Sequence, residues 1–224
     1  FKKAIILLGP RQVGKTTLIT QIAAVLDSNY LYVNADDSAT RTLWNNISQA
    51  TIFQLIGNRK VVVVDEAQRI ENIGLAVKMI VDAKKEIQVF VSGSSALELA
   101  STINETLTGR KWEFHLYPIS WRELSDTFSL ATALPMLESL LIKGAYPEVI
   151  NEPTQAGDVL RNLAGSYLYK DILELQGVRR PELLFKLLQA LAWQVGSEVS
   201  YQELALTVGA DKNTVSSYID LLEK

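Results

Sequence analysis

The sequence contains no cysteine. Disulfides, thiolate metal sites and cysteine nucleophiles are therefore excluded, and the composition is compatible with a reducing compartment. Histidine occurs once, as His115 in FHLY, where alternation with apolar neighbours reads as a packed or half-exposed strand residue rather than a catalyst. A strong charge of either sign is also missing. The formal net charge is −3 over 224 residues, so no whole-chain field favours nonspecific nucleic-acid binding. Long apolar runs are absent, AIILL and VVVV being far shorter than the ~20 residues that span a bilayer, and no membrane partner is expected. Lys2 and Lys3 lead straight into AIILL without a secretion-type segment. The chain opens on Phe1 instead of Met, so a start further upstream is expected, with the cytoplasm as the default location.

What is present is an alternation. AIILL (4–8), LYVNA (31–35), VVVVD (61–65), VFVSG (89–93) and FHLY (114–117) read as short strands. Between them, segments 16–26, 39–56 and 73–83 repeat apolar residues at helical spacing. Strands alternating with helices predict an α/β fold with a mainly parallel five-stranded sheet covered on both faces. VVVV, with no polar alternation, suits a strand buried on both sides.

Directly behind the first strand stands GPRQVGKTT, in which Gly9, Gly14, Lys15 and Thr16 satisfy G-x-x-x-x-G-K-[ST], the P-loop pattern. A glycine-rich loop between strand and helix turns successive backbone N–H groups toward a phosphate, and the helix N-terminus adds positive potential. Lys15 is placed to reach the β- and γ-phosphates, and the Thr16 hydroxyl to bind Mg²⁺. The metal partner is sought at the end of VVVVDE, where Asp65 can hold Mg²⁺ and Glu66 can act as general base toward water, or else simply cap a following helix. With one helix, one strand and another helix between the two motifs, Asp65 falls on the third strand. In P-loop ATPases with a glutamate base, a fourth strand is inserted between the first and the third, and its polar tip approaches the γ-phosphate. VFVSGSS offers Ser92 or Ser94 for this, or a serine-rich turn that caps the next helix. Arg110, in TGRKW, is preferred over Arg11 and Arg69 as the arginine that neutralises transition-state charge. No N-K-x-D follows, which disfavours a GTPase.

From about Ser120 strand-like runs vanish. LPMLESLLIKGAY, DVLRNLAGSYLYKDILEL and PELLFKLLQALAWQV read as helices, the second carrying the stripe Leu160, Leu163, Tyr167, Leu168 and Ile172, with Asp158 in its first turn and Gly177 as a stop. The last stretch predicts a helix from Tyr201 to Thr207, a turn through Gly209 and a second helix from near Asp211, which is a helix-turn-helix. The expected division is an ATPase core over 1–125, a helical lid or spacer over 126–178, and a helical segment ending in a truncated winged helix over 179–224. Lys212, Asn213, Thr214 and Ser216 stand where a recognition helix would read bases. The segment holds Arg179, Arg180, Lys186, Lys212 and Lys224 against Glu182, Glu198, Glu203, Asp211, Asp220 and Glu223, a net of −1, so the basic footprint of a DNA binder is missing.

Beyond the P-loop, GPRQVGKTT, VVVVDEAQRI, VSGSSALEL, LTGRKWEFHLYPISWREL, KGAYPEVI, YLYKDILEL and NTVSSYIDLLEK follow one another in order. Together they resemble the prokaryotic AAA+-type ATPases in which a P-loop domain and a winged helix precede a C-terminal domain of unknown function. The resemblance covers nearly the whole chain. It implies an additional-strand, AAA+-like P-loop fold, ATP as nucleotide and Mg²⁺ as cofactor. It also implies Gly9, Pro10, Arg11, Gln12, Val13, Gly14, Lys15, Thr16 and Thr17 as the Walker A loop, and Asp65–Glu66 as Walker B. Gly109–Arg110 aligns with a family motif whose role the resemblance does not supply. Lys15, Glu66, Ser94 and Arg110 are thus the expected catalytic set, and Thr16 and Asp65 the expected metal ligands. The expected function is Mg²⁺-dependent ATP hydrolysis that moves the lid and winged helix. The alternative is an occupancy switch with negligible turnover that regulates DNA or protein binding. A homo-oligomer is a further expectation, and without the wing and the further C-terminal domain this stretch is expected to be an N-terminal fragment or a shortened gene product.

Overall fold

The computed structural model describes residues 3–83, 86–93, 106–168 and 180–223. The chain divides into two compact units, Phe1–Pro153 and Thr154–Lys224. In the first, β1 (Ala4–Leu8), β2 (Leu31–Asn34), β3 (Val61–Asp65), β4 (Gln88–Gly93) and β5 (Lys111–His115) form one sheet in the order β2-β3-β4-β1-β5. Every pairing is parallel. β4 therefore lies between β1 and β3, as an additional-strand fold requires.

The helices α1 (Lys15–Leu26), α2 (Ser38–Asn45), α3 (Gln49–Ile56) and α4 (Ile73–Ala83) cross between the strands. Because successive strand residues point to opposite faces, β3 serves two cores at once. Val61 and Val63 pack with Leu7, Phe90 and the α1 residues Ile19 and Ala23. Val62 and Val64 pack with Trp44 of α2, Ile52 and Ile56 of α3, and Val77 and Ile80 of α4. All four valines are at most 2% exposed. At roughly 1.5–3 kcal/mol for each fully buried aliphatic side chain, this strand is a major contributor to the unit's stability.

Two sequence expectations are corrected here. The segment 39–56 is two helices, so the motifs are separated by three helices counting α1, not two. Asn46 is non-helical (φ −130°, ψ 36°), and the Ser48 side chain accepts a hydrogen bond from Thr51 N–H to start a fresh helix. The capping chemistry of Ser48 overrides an otherwise continuous apolar period. The fifth strand also begins earlier, at Lys111 instead of Phe114, because its register is set by Ala4 opposite Lys111 and His115 opposite Leu8. Its residues are largely exposed, so pairing with β1, not burial, defines it.

Beyond the sheet, α5 (Trp121–Phe128) opens with a capping box between Ser120 and Glu123. It is followed by α6 (Leu130–Ala133), a 3₁₀ turn (Leu134–Met136), α7 (Leu137–Lys143) and α8 (Pro147–Asn151). LPMLESLLIKGAY is thus broken by Pro135 and ends at Gly144, whose φ of 76° favours glycine.

The second unit contains α9 (Ala156–Asn162) with Asp158 in its first turn, running into a π-helical stretch over Leu163–Leu168. Ile172 and Gly177 lie outside the described residues. α10 (Pro181–Ala192), α11 (Tyr201–Val208) and α12 (Lys212–Glu223) share one core, in which Leu184, Leu187 and Leu204 are fully buried. α11 and α12 are joined through Gly209 (φ 71°), with Asp211 accepting from Thr214 N–H, which gives the helix-turn-helix expected from the sequence.

Candidate functional site

In a parallel sheet, loops that follow the strands gather at one end. Here the loop after β1, the end of β3 and the end of β4 meet at that end, with the first turn of α1 above them. Gly9 has φ 150°, Gln12 φ 62° and Gly14 φ 95°. Mixing left-handed residues into a short loop is the backbone device that turns successive N–H groups to one side and forms an anion nest. α2 and α3 are capped by Asp37 and Ser48, but α1 starts at Gly14 with no side-chain cap. Its first-turn N–H groups, which lie ahead of any helical carbonyl that could accept from them, and its positive end therefore lie at the loop. Lys15 is only 5% exposed, and its ammonium donates to the carbonyl oxygens of Gly9 (2.8 Å) and Pro10 (2.7 Å), folding a positive charge across the nest.

The carboxylate of Asp65 is the hub of the site. It is 5% exposed. Its Oδ2 accepts from the Thr16 hydroxyl at 2.9 Å and from the Tyr32 hydroxyl at 2.7 Å, while Oδ1 accepts from the Ser92 hydroxyl. Burial, followed by the adjacent carboxylate, pushes the Tyr32 phenol well above its ordinary pKa of 10.0.

Glu66 follows with φ 52°, an uncommon conformation for a residue with a Cβ that costs about 1–3 kcal/mol and clusters at functional sites. It precedes a 3₁₀ turn over Ala67–Arg69, yet its side chain makes no capping bond. Instead Oε2 accepts from the Gln68 amide at 2.6 Å. Capping is not what its carboxylate does.

The profile of the AAA domain matches residues 1–125. The chain belongs to the AAA domain family. A second profile, a domain of unknown function (DUF8612), matches residues 134–224. The AAA domain chain is 24% identical to an uncharacterized protein of Haemophilus influenzae, covering 97% of this chain and 59% of that protein. It is 23% identical to an uncharacterized protein of Methanocaldococcus jannaschii, covering 89% and 48%. The chain thus spans about half the length of the curated relatives it matches. A shorter match, 36% identical over 72 residues, is to the replication factor C large subunit of Methanothrix thermoacetophila, covering 30% of this chain and 15% of that one. Among solved structures, the ORC2 protein of Aeropyrum pernix, described as ADPNP-ADP complexes, superposes with a TM-score of 0.53 at 16% identity. That likeness covers all of this chain and 79% of the other, and it shows the fold.

Of the residues expected in the AAA domain's site, the structure brings together the Gly9–Thr17 loop and Asp65, with Glu66 next in the chain. Ser94 lies outside the described residues; Ser92, the other serine considered, is 1% exposed and bonded to Asp65. Arg110 is not gathered with them. It precedes β5, where its carbonyl accepts from Ala4 N–H at the start of β1, and its guanidinium pairs with Asp82 at 2.6 Å near the end of α4. The loop leaves the other end of that five-residue strand, about 16 Å away along the chain direction. Arg69, one of the less favoured arginines, pairs with Asp36 at 2.9 Å.

Tyr32 and Gln68 were not anticipated. The only sequence signal for Tyr32 was a hydroxyl-bearing residue in an apolar strand, and for Gln68 an amide two residues past an acid. Among the described residues no cluster of three or more carboxylate or imidazole side chains is placed to hold a metal, and no helix is long and apolar enough to cross a membrane.

Proposed function

We propose that this AAA domain binds ATP with Mg²⁺ at the Gly9–Thr17 loop and hydrolyses it. The observation that carries the reading is the Thr16–Asp65 pair beneath an uncapped helix N-terminus. One hydroxyl and one carboxylate are a sparse but suitable oxygen set for Mg²⁺, which takes its remaining ligands from water and phosphate. Thr16 and Asp65 would hold that ion, and it would neutralise charge on the β- and γ-phosphates.

The loop N–H groups bind the phosphates, and Lys15 exchanges the carbonyls of Gly9 and Pro10 for phosphate oxygens. Glu66 accepts the proton of the attacking water, and Ser94 contacts the γ-phosphate. Arg110 stabilises transition-state charge from a second copy of the chain, since within its own copy it pairs with Asp82 at the far end of the sheet. Turnover would shift the helices of 126–178 and the helix-turn-helix of 179–224. Lys212, Asn213, Thr214 and Ser216 of that last segment, the first two exposed and the other two half-buried, would be its contacts to a DNA or protein partner.

Phosphate release by wild type and Glu66→Gln tests the reading. Loss of about a hundredfold or more in turnover with nucleotide binding retained is expected; equal rates would remove Glu66 as the base. A second reading, occupancy switching with negligible turnover, is favoured by the 2.6 Å bond that engages Glu66 with Gln68. Single-turnover hydrolysis with candidate partners separates the two.

A further inference from the structure

Tyr32 reaches the metal carboxylate from a strand that the nucleotide motifs do not include. β2 is the edge strand on the far side of β3 from the loop. Tyr32 lies opposite Val63, two residues before Asp65 on β3, so Tyr32 and Asp65 share a sheet face as a diagonal pair. Diagonal neighbours are about 7–8 Å apart, a span that long aromatic side chains cover. Ser92 is close to the position directly across from Asp65, one step beyond the Val64–Val91 pair, and there a short side chain suffices. The structure therefore uses a long donor, a short donor and the loop's own Thr16 on one carboxylate. A carboxylate offers about four acceptor sites, and three are taken by hydroxyls.

We propose that Tyr32 is a positioning residue for Mg²⁺: its hydroxyl holds the Asp65 carboxylate in the orientation that, with Thr16, receives the ion. This rests on the ATP–Mg²⁺ reading and extends it to the edge strand. Thr16 keeps its proton directed at Oδ2 while its oxygen lone pairs face the cation side. Ser92 steadies Oδ1 from the adjacent strand. Tyr32 supplies a second donor to Oδ2, from the strand on the opposite side of β3 from Ser92. Outer partners of metal ligands act in this way, and their loss typically costs about 10–100-fold in metal affinity. Among the described residues the Tyr32 hydroxyl bonds to Asp65 and not to the loop, so its effect should fall on the metal.

The experiment measures the affinity of a fluorescent ATP analogue for the whole chain in EDTA and across a Mg²⁺ titration. The ratio of the two affinities is the Mg²⁺–nucleotide coupling. Tyr32→Phe keeps the ring and removes only the hydroxyl; it is expected to lower that ratio about tenfold and raise the Mg²⁺ midpoint correspondingly. Its affinity in EDTA should stay within about twofold of wild type, since the loop N–H groups are untouched. Tyr30→Phe is the control, because Tyr30 packs against the same core cluster that α1 covers and makes no bond to Asp65. The Mg²⁺-induced rise in melting temperature with nucleotide present gives a second readout on the same proteins.

An unchanged coupling in Tyr32→Phe overturns the proposal and leaves the ATP–Mg²⁺ reading standing. An equal loss in EDTA and Mg²⁺ also overturns it, assigning Tyr32 to the nucleotide or the fold. If wild type itself shows no Mg²⁺-dependent tightening, the underlying reading fails and this inference with it.

Discussion

Replacing Gly9 by alanine should damage the fold before it touches any chemistry. Gly9 leaves β1 with φ 150°, a conformation that residues with a Cβ rarely adopt. A Cβ added there would sit 3.1 Å from the Leu116 carbonyl carbon and overlap the Leu116 carbonyl oxygen outright. Carbon–carbon contacts settle at about 3.5–4.0 Å, so Leu116, directly after β5, would have to retreat by roughly half an ångström for the carbon and by more for the oxygen. That retreat strains the bond from Leu116 N–H to the Leu8 carbonyl, now 2.8 Å, which is worth about 1 kcal/mol. Backbone strain adds about 1–3 kcal/mol. The sum, about 2–4 kcal/mol, corresponds to a fall in melting temperature of roughly 4–16 °C at the ~2–4 °C per kcal/mol typical of chains this size. Gly14→Ala is the internal comparison, since its φ is 95° but nothing lies within 4 Å of the added Cβ. It should lose only the strain, about 1–2 kcal/mol. Urea denaturation followed by circular dichroism on both variants decides the matter. If Gly9→Ala is no less stable than Gly14→Ala, the close approach of Leu116 does not constrain the loop.

Other perturbations probe separate parts of the molecule. Ser92→Ala removes a buried hydroxyl donor to a carboxylate and should cost about 1.5–3 kcal/mol in denaturant melts. Gln68→Ala frees Glu66 from its amide; if that bond restrains the base, turnover rises, and steady-state phosphate release reads the change. Leu184→Ala empties a fully buried position in the second unit and should cost about 2–5 kcal/mol, monitored by the loss of helical signal. Asp37 and Asp211, both hydrogen-bonded by threonines at helix starts, have pKa values lowered from 3.8, and Glu123, bonded by Ser120, is lowered from 4.5. Groups lowered in the folded state stabilise it above their unfolded values and lose that contribution as pH falls through the folded ones. Stability should therefore be insensitive to these groups above about pH 5 and decline below about pH 4, and Asp211→Asn, which keeps a capping oxygen, should flatten part of that limb.

Much of the site was legible because its chemistry is local. Four residues at fixed spacing mark the loop, and a carboxylate at the end of an all-apolar strand downstream of it marks the acid that the structure places beside Thr16. Elements were legible wherever burial wrote the pattern. β3 and α4 begin and end where periodicity placed them, whereas β5, held by pairing and exposed along its length, was displaced by three residues at its start. The break at Asn46 was hidden because the apolar period runs on through it. Arg110 looked close to the chemistry in a motif-rich stretch, yet the direction of β1 puts it at the opposite end of the sheet.

The sequence by itself determined the fold class, the strand that carries the acid and the glycine-rich loop behind β1, because spacing and hydrophobic period act over a few residues. Tertiary structure decided the register of the parallel strands, that Ser92 bonds to Asp65, and that Tyr32 shares its carboxylate. Those contacts join residues 27 and 33 positions from Asp65, and they exist only once parallel pairing has set the register. Register is a property of neighbouring strands, and one strand's sequence cannot contain it.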